Sequence, residues 1–228
     1  MANRLIIADL HLPFTYPTYL RFCRDMQDKH QCEEVIFIGD IADNHALSNF
    51  ISNPDGYSPG DEYRATAKKV QAWHKAFPNA KVLIGNHDAR PYKQATQAGI
   101  PKGMMRRWNE IWGTDSWEWA PSFVIDEVKY VHGTRSSGPT AALRRAIAAR
   151  QSLVMGHTHS FGGVQYHASR RDLIFGLNVG WGGDDKTYAF EYGAEAPNRG
   201  VVGCGVVVNK AEAHFFPAAL KGQYRRRK

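Results

Sequence analysis

Five apolar runs in this chain are each followed directly by a short motif that contains Asp, Asn or His. Any one motif alone could be a turn or a helix cap. Together they hold five of the ten histidines, and ligands of open α/β sheets collect beyond the carboxyl ends of strands. The set therefore predicts one shared site. The runs and motifs are 5–8 with Asp9-Leu10-His11, 34–38 with Gly39-Asp40-Ile41-Ala42-Asp43, 81–84 with Gly85-Asn86-His87-Asp88, 129–131 with His132-Gly133, and 153–155 with Gly156-His157-Thr158-His159.

The first half of the chain alternates short β-rich runs with helix-like segments, and the second half is mainly β-rich. The alternation predicts parallel strands with helical crossovers, and the later strands predict a second sheet. We therefore expect an α/β sandwich of two sheets with helices outside. Helices are predicted at 17–29, 61–77 with Asp61 as N-cap, within 101–113 and at 140–150, a hairpin at 123–131, and later strands at 163–168, 173–179, 188–192, 201–208 and 213–216.

The motif residues supply oxygen and imidazole ligands and no thiolate. This donor set favours manganese, iron, zinc, cobalt or magnesium over a structural zinc site. The donors outnumber what one ion needs, so two ions that share a carboxylate are the simplest solution. Glycine before Asp40, Asn86 and His157 fits a backbone that turns sharply and approaches another group closely.

In this order the motifs resemble those of the calcineurin-like metallophosphoesterases, whose motifs run Asp-x-His, Gly-Asp-x-x-Asp, Gly-Asn-His-Asp/Glu, an isolated His, and Gly-His-x-His. The resemblance covers about two thirds of the chain, from Asp9 to His159. It implies two mixed β-sheets flanked by helices in an αββα arrangement. It also implies hydrolysis of a phosphate ester by in-line attack of a hydroxide that bridges two divalent ions. Manganese is the first choice of ion, with iron, zinc, cobalt, nickel or magnesium as alternatives.

The resemblance also implies a role for each motif residue. One ion is expected on Asp9, His11, Asp40 and His159, and the other on Asp40, Asn86, His132 and His157. His87 is expected to protonate the leaving group as general acid, with Asp43 orienting its ring.

The expected substrate is a phosphodiester, with nucleic acid and nucleotides among the candidates. Two divalent ions, two carboxylates and a hydroxide leave a centre of about +1, which matches a phosphodiester monoanion. The protein Ser/Thr phosphatase branch carries arginines after its second motif and before Gly-Asn-His. Here those positions hold Asn44 and Ile84. A phosphomonoesterase acting on nucleotides, small molecules or phosphoproteins is the enzymatic alternative, and a non-catalytic metal-binding scaffold is the alternative from another class.

Substrate contacts have weaker signals. Asn44 and His45 follow the second motif and are candidates to touch the phosphate, as is Arg135 farther along the chain; otherwise all three are loop residues. Four aromatic residues have two alternative roles, lining a groove that stacks bases or packing in the core. These are Trp108, Trp112, Trp117 and Trp119. The same two alternatives apply to Trp181. Asp88 is expected to brace its own turn.

Composition adds expectations about partners and location. Cys23, Cys32 and Cys204 are scattered and odd in number, which predicts reduced thiols in a cytoplasmic protein. No apolar run approaches the roughly 20 residues of a membrane span, so no membrane partner is expected. Residues 1–222 are predicted to form one domain and residues 223–228 a flexible basic tail. That tail is either a solvated end or an arm for nucleic-acid phosphates.

Overall fold

The chain alternates strands and helices in its first half and is mainly strands in its second. A computed structural model describes residues 2–49, 53–193 and 198–218. Within these residues the strands are β1 (Arg4–Ile7), β2 (Glu34–Phe37), β3 (Ala80–Leu83), β4 (Glu118–Ala120), β5 (Ser122–Ile125), β6 (Val128–Val131), β7 (Ser152–Met155), β8 (Gly162–Ala168), β9 (Leu173–Val179), β10 (Gly203–Asn209) and β11 (Glu212–Pro217). The α-helices are α1 (Tyr19–Lys29), α2 (Pro59–Ala76), α3 (Arg90–Gln97), α4 (Trp108–Trp112) and α5 (Ala141–Ala149), and short 3-10 helices cover His45–Leu47, Lys102–Met104 and Tyr188–Gly193.

The strands form two mixed sheets. The first has the order β11-β10-β1-β2-β3-β4, in which β1 to β4 are parallel and β10 and β11 are antiparallel additions. The second has the order β5-β6-β7-β9-β8, with β6, β7 and β9 parallel. Strands β10 and β11 contact β8 and β9 across the interface, and α5 packs on β7 and β9. The two-sheet architecture flanked by helices, expected from the sequence, is confirmed.

Aromatic side chains join the helices to the first sheet. Trp73 of α2 meets Phe37 of β2 with ring centroids 5.8 Å apart, and Trp117 lies 4.9 Å from the same Phe37 ring. Trp112 and Trp117 are buried, and Trp108 and Trp119 pack against the core. These contacts favour the packing interpretation of the four tryptophans. None of the described helices has the length and apolar character needed to cross a membrane.

Several local predictions were wrong or incomplete. Helix α2 begins at Pro59, and its N-cap is Ser58, whose hydroxyl accepts the Asp61 backbone N–H at 3.2 Å. Asp61 instead lies in the first turn, where a carboxylate suits the positive end of the helix dipole. The strand predicted at 188–192 is a 3-10 helix, and segment 101–113 contains two short helices rather than one. The basic tail at 223–228 lies outside the described residues.

Tyr19 ties the start of α1 to the first sheet. Its side chain is fully buried, and its hydroxyl donates to the Gly203 carbonyl at 2.6 Å and accepts the Ala8 N–H at 3.1 Å. Both backbone groups are inside the protein, where a lost partner is not replaced by bulk water. This hydroxyl therefore fixes the carboxyl end of β1 directly before the motif that holds Asp9.

Replacing Tyr19 with Phe should lower the free energy of unfolding by about 1–3 kcal/mol, because two buried backbone groups lose their partner. Urea denaturation measures the change. Tyr63→Phe is the matched control, since the Tyr63 hydroxyl donates to the Ile111 carbonyl from a side chain that is 46% exposed. Equal losses in the two variants would contradict the structural role given to Tyr19.

Candidate metal centre

The carboxyl ends of five strands bring all seven predicted ligand residues together. Parallel pairing places the ends of β1, β2 and β3 side by side, and the ends of β6 and β7 likewise. Asp9, His11, Asp40 and His159 offer ligand atoms that lie within 4.8 Å of one another, as do Asp40, His132 and His157. The seventh residue, Asn86, has its Oδ1 3.0 Å from His132 Nε2. Asp40 belongs to both groups.

In the first group, two imidazole nitrogens and a carboxylate oxygen come together. His11 Nδ1 donates to Asp43 Oδ1 at 2.7 Å, so in the neutral ring Nε2 carries the lone pair. That Nε2 lies 3.1 Å from His159 Nε2, which itself lies 3.1 Å from Asp9 Oδ2. His11 and Asp9 are fully buried. Three electron-rich atoms thus converge where a cation would satisfy them.

The second group has the same character. His132 Nδ1 donates to the Ile38 carbonyl at 3.0 Å, which directs Nε2 toward the cluster. That Nε2 faces Asn86 Oδ1 at 3.0 Å and Asp40 Oδ2 at 3.2 Å. A backbone carbonyl that orients the far nitrogen is the usual support of a metal-binding histidine.

The two buried aspartates each keep one oxygen for a missing partner. Asp9 Oδ2 accepts the His157 backbone N–H at 2.7 Å, and Asp40 Oδ1 accepts the His87 backbone N–H at 2.8 Å. Among the described residues, Asp9 Oδ1 is buried without a hydrogen-bond partner, and the buried Asp40 Oδ2 is approached by imidazole nitrogens alone, with His132 Nε2 at 3.2 Å. A buried carboxylate oxygen without a partner is costly, so this donor set fits divalent cations, with Asp40 Oδ2 between the two groups.

Glycine makes room for both carboxylates. A Cβ at Gly85 would lie 2.0 Å from Asp40 Oδ1, and one at Gly156 would lie 2.1 Å from Asp9 Oδ1. No other residue fits at either position without displacing a carboxylate. The close approach expected from the sequence is therefore present at both.

Three predicted ligand residues adopt left-handed backbone conformations. The φ angles are +48° at His11, +50° at Asp40 and +67° at His157. Such angles are uncommon for residues other than glycine, and they persist where the surroundings fix them, often at functional sites. Each occurs where the chain leaves a strand and turns its side chain toward the cluster.

His87 and Asp43 lie beside the cluster as a pair. His87 Nδ1 is 2.8 Å from the Asp43 carbonyl and 2.9 Å from Asp43 Oδ1, which leaves Nε2 3.9 Å from Asp40 Oδ2. Burial opposes the charged form of His87, but the carboxylates of Asp40 and Asp43 outweigh it and raise its pKa. Burial likewise opposes ionisation of Asp43, yet hydrogen bonds from His11 and His87 hold its pKa far below the usual range.

Arg90 is a site residue that the sequence interpretation missed. Its guanidinium donates to the carbonyls of Asp43 at 2.9 Å and Asn44 at 3.2 Å, and Nη2 lies 3.3 Å from His87 Nε2. It is the first residue of α3, which the sequence interpretation did not predict. The available signal was an arginine three residues after His87, at the spacing of one helical turn.

The three predicted substrate contacts differ in position. Asn44 donates to the His87 carbonyl at 3.0 Å, and His45 Nδ1 lies 3.8 Å from Asp43 Oδ2. Arg135 is exposed, and no hydrogen bond or ion pair joins it to the cluster within the described residues. Asn44 and His45 are thus adjacent to the predicted acid, whereas Arg135 is not brought to it.

Asp88 and Trp181 complete the surroundings. Asp88 Oδ2 accepts the Gly85 N–H at 2.9 Å, which confirms that Asp88 braces its own turn. Its Oδ1 accepts the Ala42 N–H at 3.1 Å and so joins the second motif to the third. Burial and the nearby Asp40 raise the pKa of Asp88 to about 7. Trp181 is buried and stacks on His159 with ring centroids 5.0 Å apart.

Comparison with known proteins gives a family match over most of the chain. A family model described as calcineurin-like phosphoesterase matches residues 3–175. No curated protein matches the sequence.

Three solved structures are similar in fold. A metallophosphoesterase from Sphaerobacter thermophilus is 14% identical with a TM-score of 0.48, covering 96% of this chain and 89% of that one. Vacuolar Protein Sorting 29 from Cryptosporidium parvum is 12% identical with a TM-score of 0.47, covering 95% and 96%. The phosphoesterase Yfce from E. coli is 18% identical with a TM-score of 0.41, covering 91% and 88%. All three likenesses are distant, and the family assignment depends on the match over residues 3–175.

A dinuclear site is expected to hold about two ions per chain. Asp40→Asn should lower the metal content of manganese-loaded protein below that level. The reason is that Asp40 Oδ2 lies between both ligand groups. Elemental analysis after desalting measures the content, and the thermal shift on adding Mn²⁺ should fall as well, because binding to the folded state raises stability. Asp61→Asn, an exposed carboxylate on α2, is the control. Equal metal content in both variants would contradict the assignment.

Proposed function

The chain belongs to the calcineurin-like phosphoesterase family, and on this premise we propose that it is a metal-dependent enzyme that hydrolyses a phosphate ester. The observation that carries the proposal is the convergence of two buried carboxylates, Asp9 and Asp40, and four imidazoles on one cluster of ligand atoms. The predicted acid, His87, lies beside the same carboxylate.

The proposed ligand sets use the two groups of side chains. One ion is held by Asp9, His11, Asp40 and His159, and the other by Asp40, Asn86, His132 and His157. When bound, two divalent ions, manganese first among the candidates, supply a hydroxide nucleophile for in-line attack on phosphorus and neutralise the phosphoryl oxygens.

His87 is the proposed general acid. Its Nδ1 is held by Asp43, so the proton available for transfer is on Nε2, the atom that faces Asp40 and the cluster. Asp40 and Asp43 favour the protonated ring, which matches a group that must give up a proton to a departing alkoxide. Asn44 and Arg90 hold the backbone around this pair.

A phosphodiester is the proposed substrate, because a centre of about +1 matches a single negative charge. Arg90 supports the phosphomonoesterase as second candidate, since its guanidinium adds a positive charge 3.3 Å from His87 Nε2. That charge is partly committed to the carbonyls of Asp43 and Asn44, so we keep the diester first. Asn44, His45 and Arg135 remain proposed contacts to the phosphate, with Arg135 the least supported.

A non-catalytic scaffold is the alternative from another class. A scaffold has no need of a histidine held in one orientation by a buried carboxylate, and His87 with Asp43 is such a pair. This pair favours catalysis. Three buried free thiols, Cys23, Cys32 and Cys204, support the cytoplasm as the proposed location.

His87→Ala should slow hydrolysis of a diester with an alkyl leaving group by about 10²–10⁴-fold, because no group then protonates the alkoxide. Hydrolysis of bis-p-nitrophenyl phosphate should fall much less, since nitrophenolate leaves without a proton. Initial rates in Mn²⁺ measure both, and elemental analysis should show unchanged metal content. Equal loss on the two substrates, or wild-type activity on both, would contradict the role of His87.

Wild-type protein with Mn²⁺ should hydrolyse bis-p-nitrophenyl phosphate faster than p-nitrophenyl phosphate, as the charge of the centre predicts. Arg90→Gln should lower kcat/KM for the monoester more than for the diester, because a dianion gains more from a nearby cation. Steady-state kinetics on both substrates checks the two statements. A clear preference of the wild type for the monoester would reverse the order of the two candidate functions.

A further inference from the structure

A surface cleft apart from the metal cluster has basic side chains at four of its eight lining positions. It has a volume of about 530 Å³, within the range of ligand pockets. We call it the arginine cleft. Its basic residues are Arg150, His167, Arg170 and Arg171, and Ile147, Ile174, Ser169 and Asp172 complete the lining.

The arginine cleft forms where a hairpin meets the end of a helix. Arg150 follows α5 directly in a left-handed conformation, with φ +50°. Arg170 and Arg171 lie in the turn between β8 and β9. Strand β8 starts at Gly162, close after His159, and runs seven residues to Ala168. At roughly 3.3 Å per residue the cleft therefore lies about 20 Å from the metal cluster.

The positive charge of the cleft is not neutralised within the described residues. No described ion pair or side-chain hydrogen bond engages the guanidinium groups of Arg150, Arg170 or Arg171. Against three arginines the lining has one acid, Asp172, whose Oδ1 accepts the Ser169 hydroxyl at 2.5 Å, so the net charge of the lining stays positive. The Ser169 Oγ also accepts the backbone N–H of Arg171 at 3.1 Å, so the turn that carries two of the arginines is itself held in place.

The chemistry of the cleft suits a phosphodiester chain. Guanidinium groups recognise phosphate oxygens with paired hydrogen bonds. The apolar side chain of Ile147, which is 42% exposed, offers a surface for a sugar or base beside the cations. A lone phosphate would leave most of the volume and Ile147 unused.

We propose that the arginine cleft binds a nucleic-acid strand whose scissile phosphodiester lies at the metal cluster. The binding claim stands on the cleft alone, and its link to cleavage rests on the proposed function. A distance of about 20 Å corresponds to on the order of six nucleotides at the roughly 3.4 Å spacing of a base-stacked strand. The protein is thus a nuclease that holds its substrate at two places.

The binding experiment compares two triple variants with the same loss of charge. Arg150→Gln, Arg170→Gln and Arg171→Gln remove the cleft's arginines, and Arg21→Gln, Arg24→Gln and Lys29→Gln remove exposed charges from α1. Both are made in metal-loaded His87→Ala protein, and fluorescence anisotropy follows a labelled 20-nucleotide single-stranded DNA across a salt series. The cleft variant should bind roughly tenfold or more weakly, with a salt slope reduced by about 2, and the α1 variant should change little.

Several outcomes would overturn the proposal. Equal weakening of oligonucleotide binding by both triple variants would indicate an effect of net charge alone. No weakening by either variant would also contradict the proposal, as would binding of phosphatidylserine vesicles without binding of the oligonucleotide. Circular dichroism and thermal melts verify that both variants are folded. The single variants Arg170→Gln and Arg171→Gln provide the comparison if the triple variant does not fold.

A kinetic experiment separates this proposal from the proposed function. In the otherwise wild-type chain, the cleft variant should raise KM for the 20-nucleotide substrate and leave hydrolysis of bis-p-nitrophenyl phosphate unchanged. Unchanged KM for the oligonucleotide would reject the cleft while the enzyme remains a phosphoesterase. Absence of hydrolysis of every substrate by wild type would reject the proposed function, and the anisotropy result would still decide whether the cleft binds DNA.

Discussion

Two buried carboxylates that lack enough hydrogen-bond donors govern the organisation of this protein. Asp9 and Asp40 each accept one backbone N–H, and their other oxygens, Asp9 Oδ1 and Asp40 Oδ2, face an interior that offers no backbone donor to them. Placing a charged oxygen there is unfavourable unless a cation compensates it. The nearest side chains are imidazoles, and His11 and His132 direct their Nε2 atoms toward the cluster because their Nδ1 atoms donate elsewhere. The arrangement is therefore stable as a cation site and poor as a metal-free core.

The fold supports this arrangement through parallel strand ends and small residues. Parallel pairing brings the ends of β1, β2 and β3 to one edge of the first sheet, and the second sheet adds the ends of β6 and β7. Gly85 and Gly156 let the backbone approach the carboxylates more closely than any side chain allows. The Tyr19 hydroxyl fixes the backbone at the end of β1. Much of the interior's polar hydrogen bonding thus serves to place ligand atoms.

Asp43 connects the ligand cluster to the proposed acid. One of its oxygens lies 2.7 Å from His11 Nδ1 and 2.9 Å from His87 Nδ1, so the same carboxylate orients a proposed ligand and the proposed proton donor. Arg90 and Asn44 in turn hold the backbone of this pair. A change at Asp43 therefore alters both the ligand geometry and the orientation of His87, and its effects cannot be divided between the two.

The sequence by itself indicated the two-sheet class and one shared site after five strands, because strand periodicity and ligand chemistry are both local properties. The choice of seven ligands among the motif residues came from the family resemblance. The sequence also indicated the glycines, since a close approach requires them wherever it occurs. The Ser58 cap was a local signal that the sequence interpretation overlooked, since Ser followed by Pro and then by an acid at the third position is typical of a helix start. Only the tertiary structure decided that residues 188–193 form a 3-10 helix and that Arg90 reaches His87. The arginine cleft was equally invisible, because Arg150 and Arg170 meet only when the β8–β9 hairpin packs on α5. Contacts between segments far apart in the chain depend on how elements pack, and no local pattern encodes that.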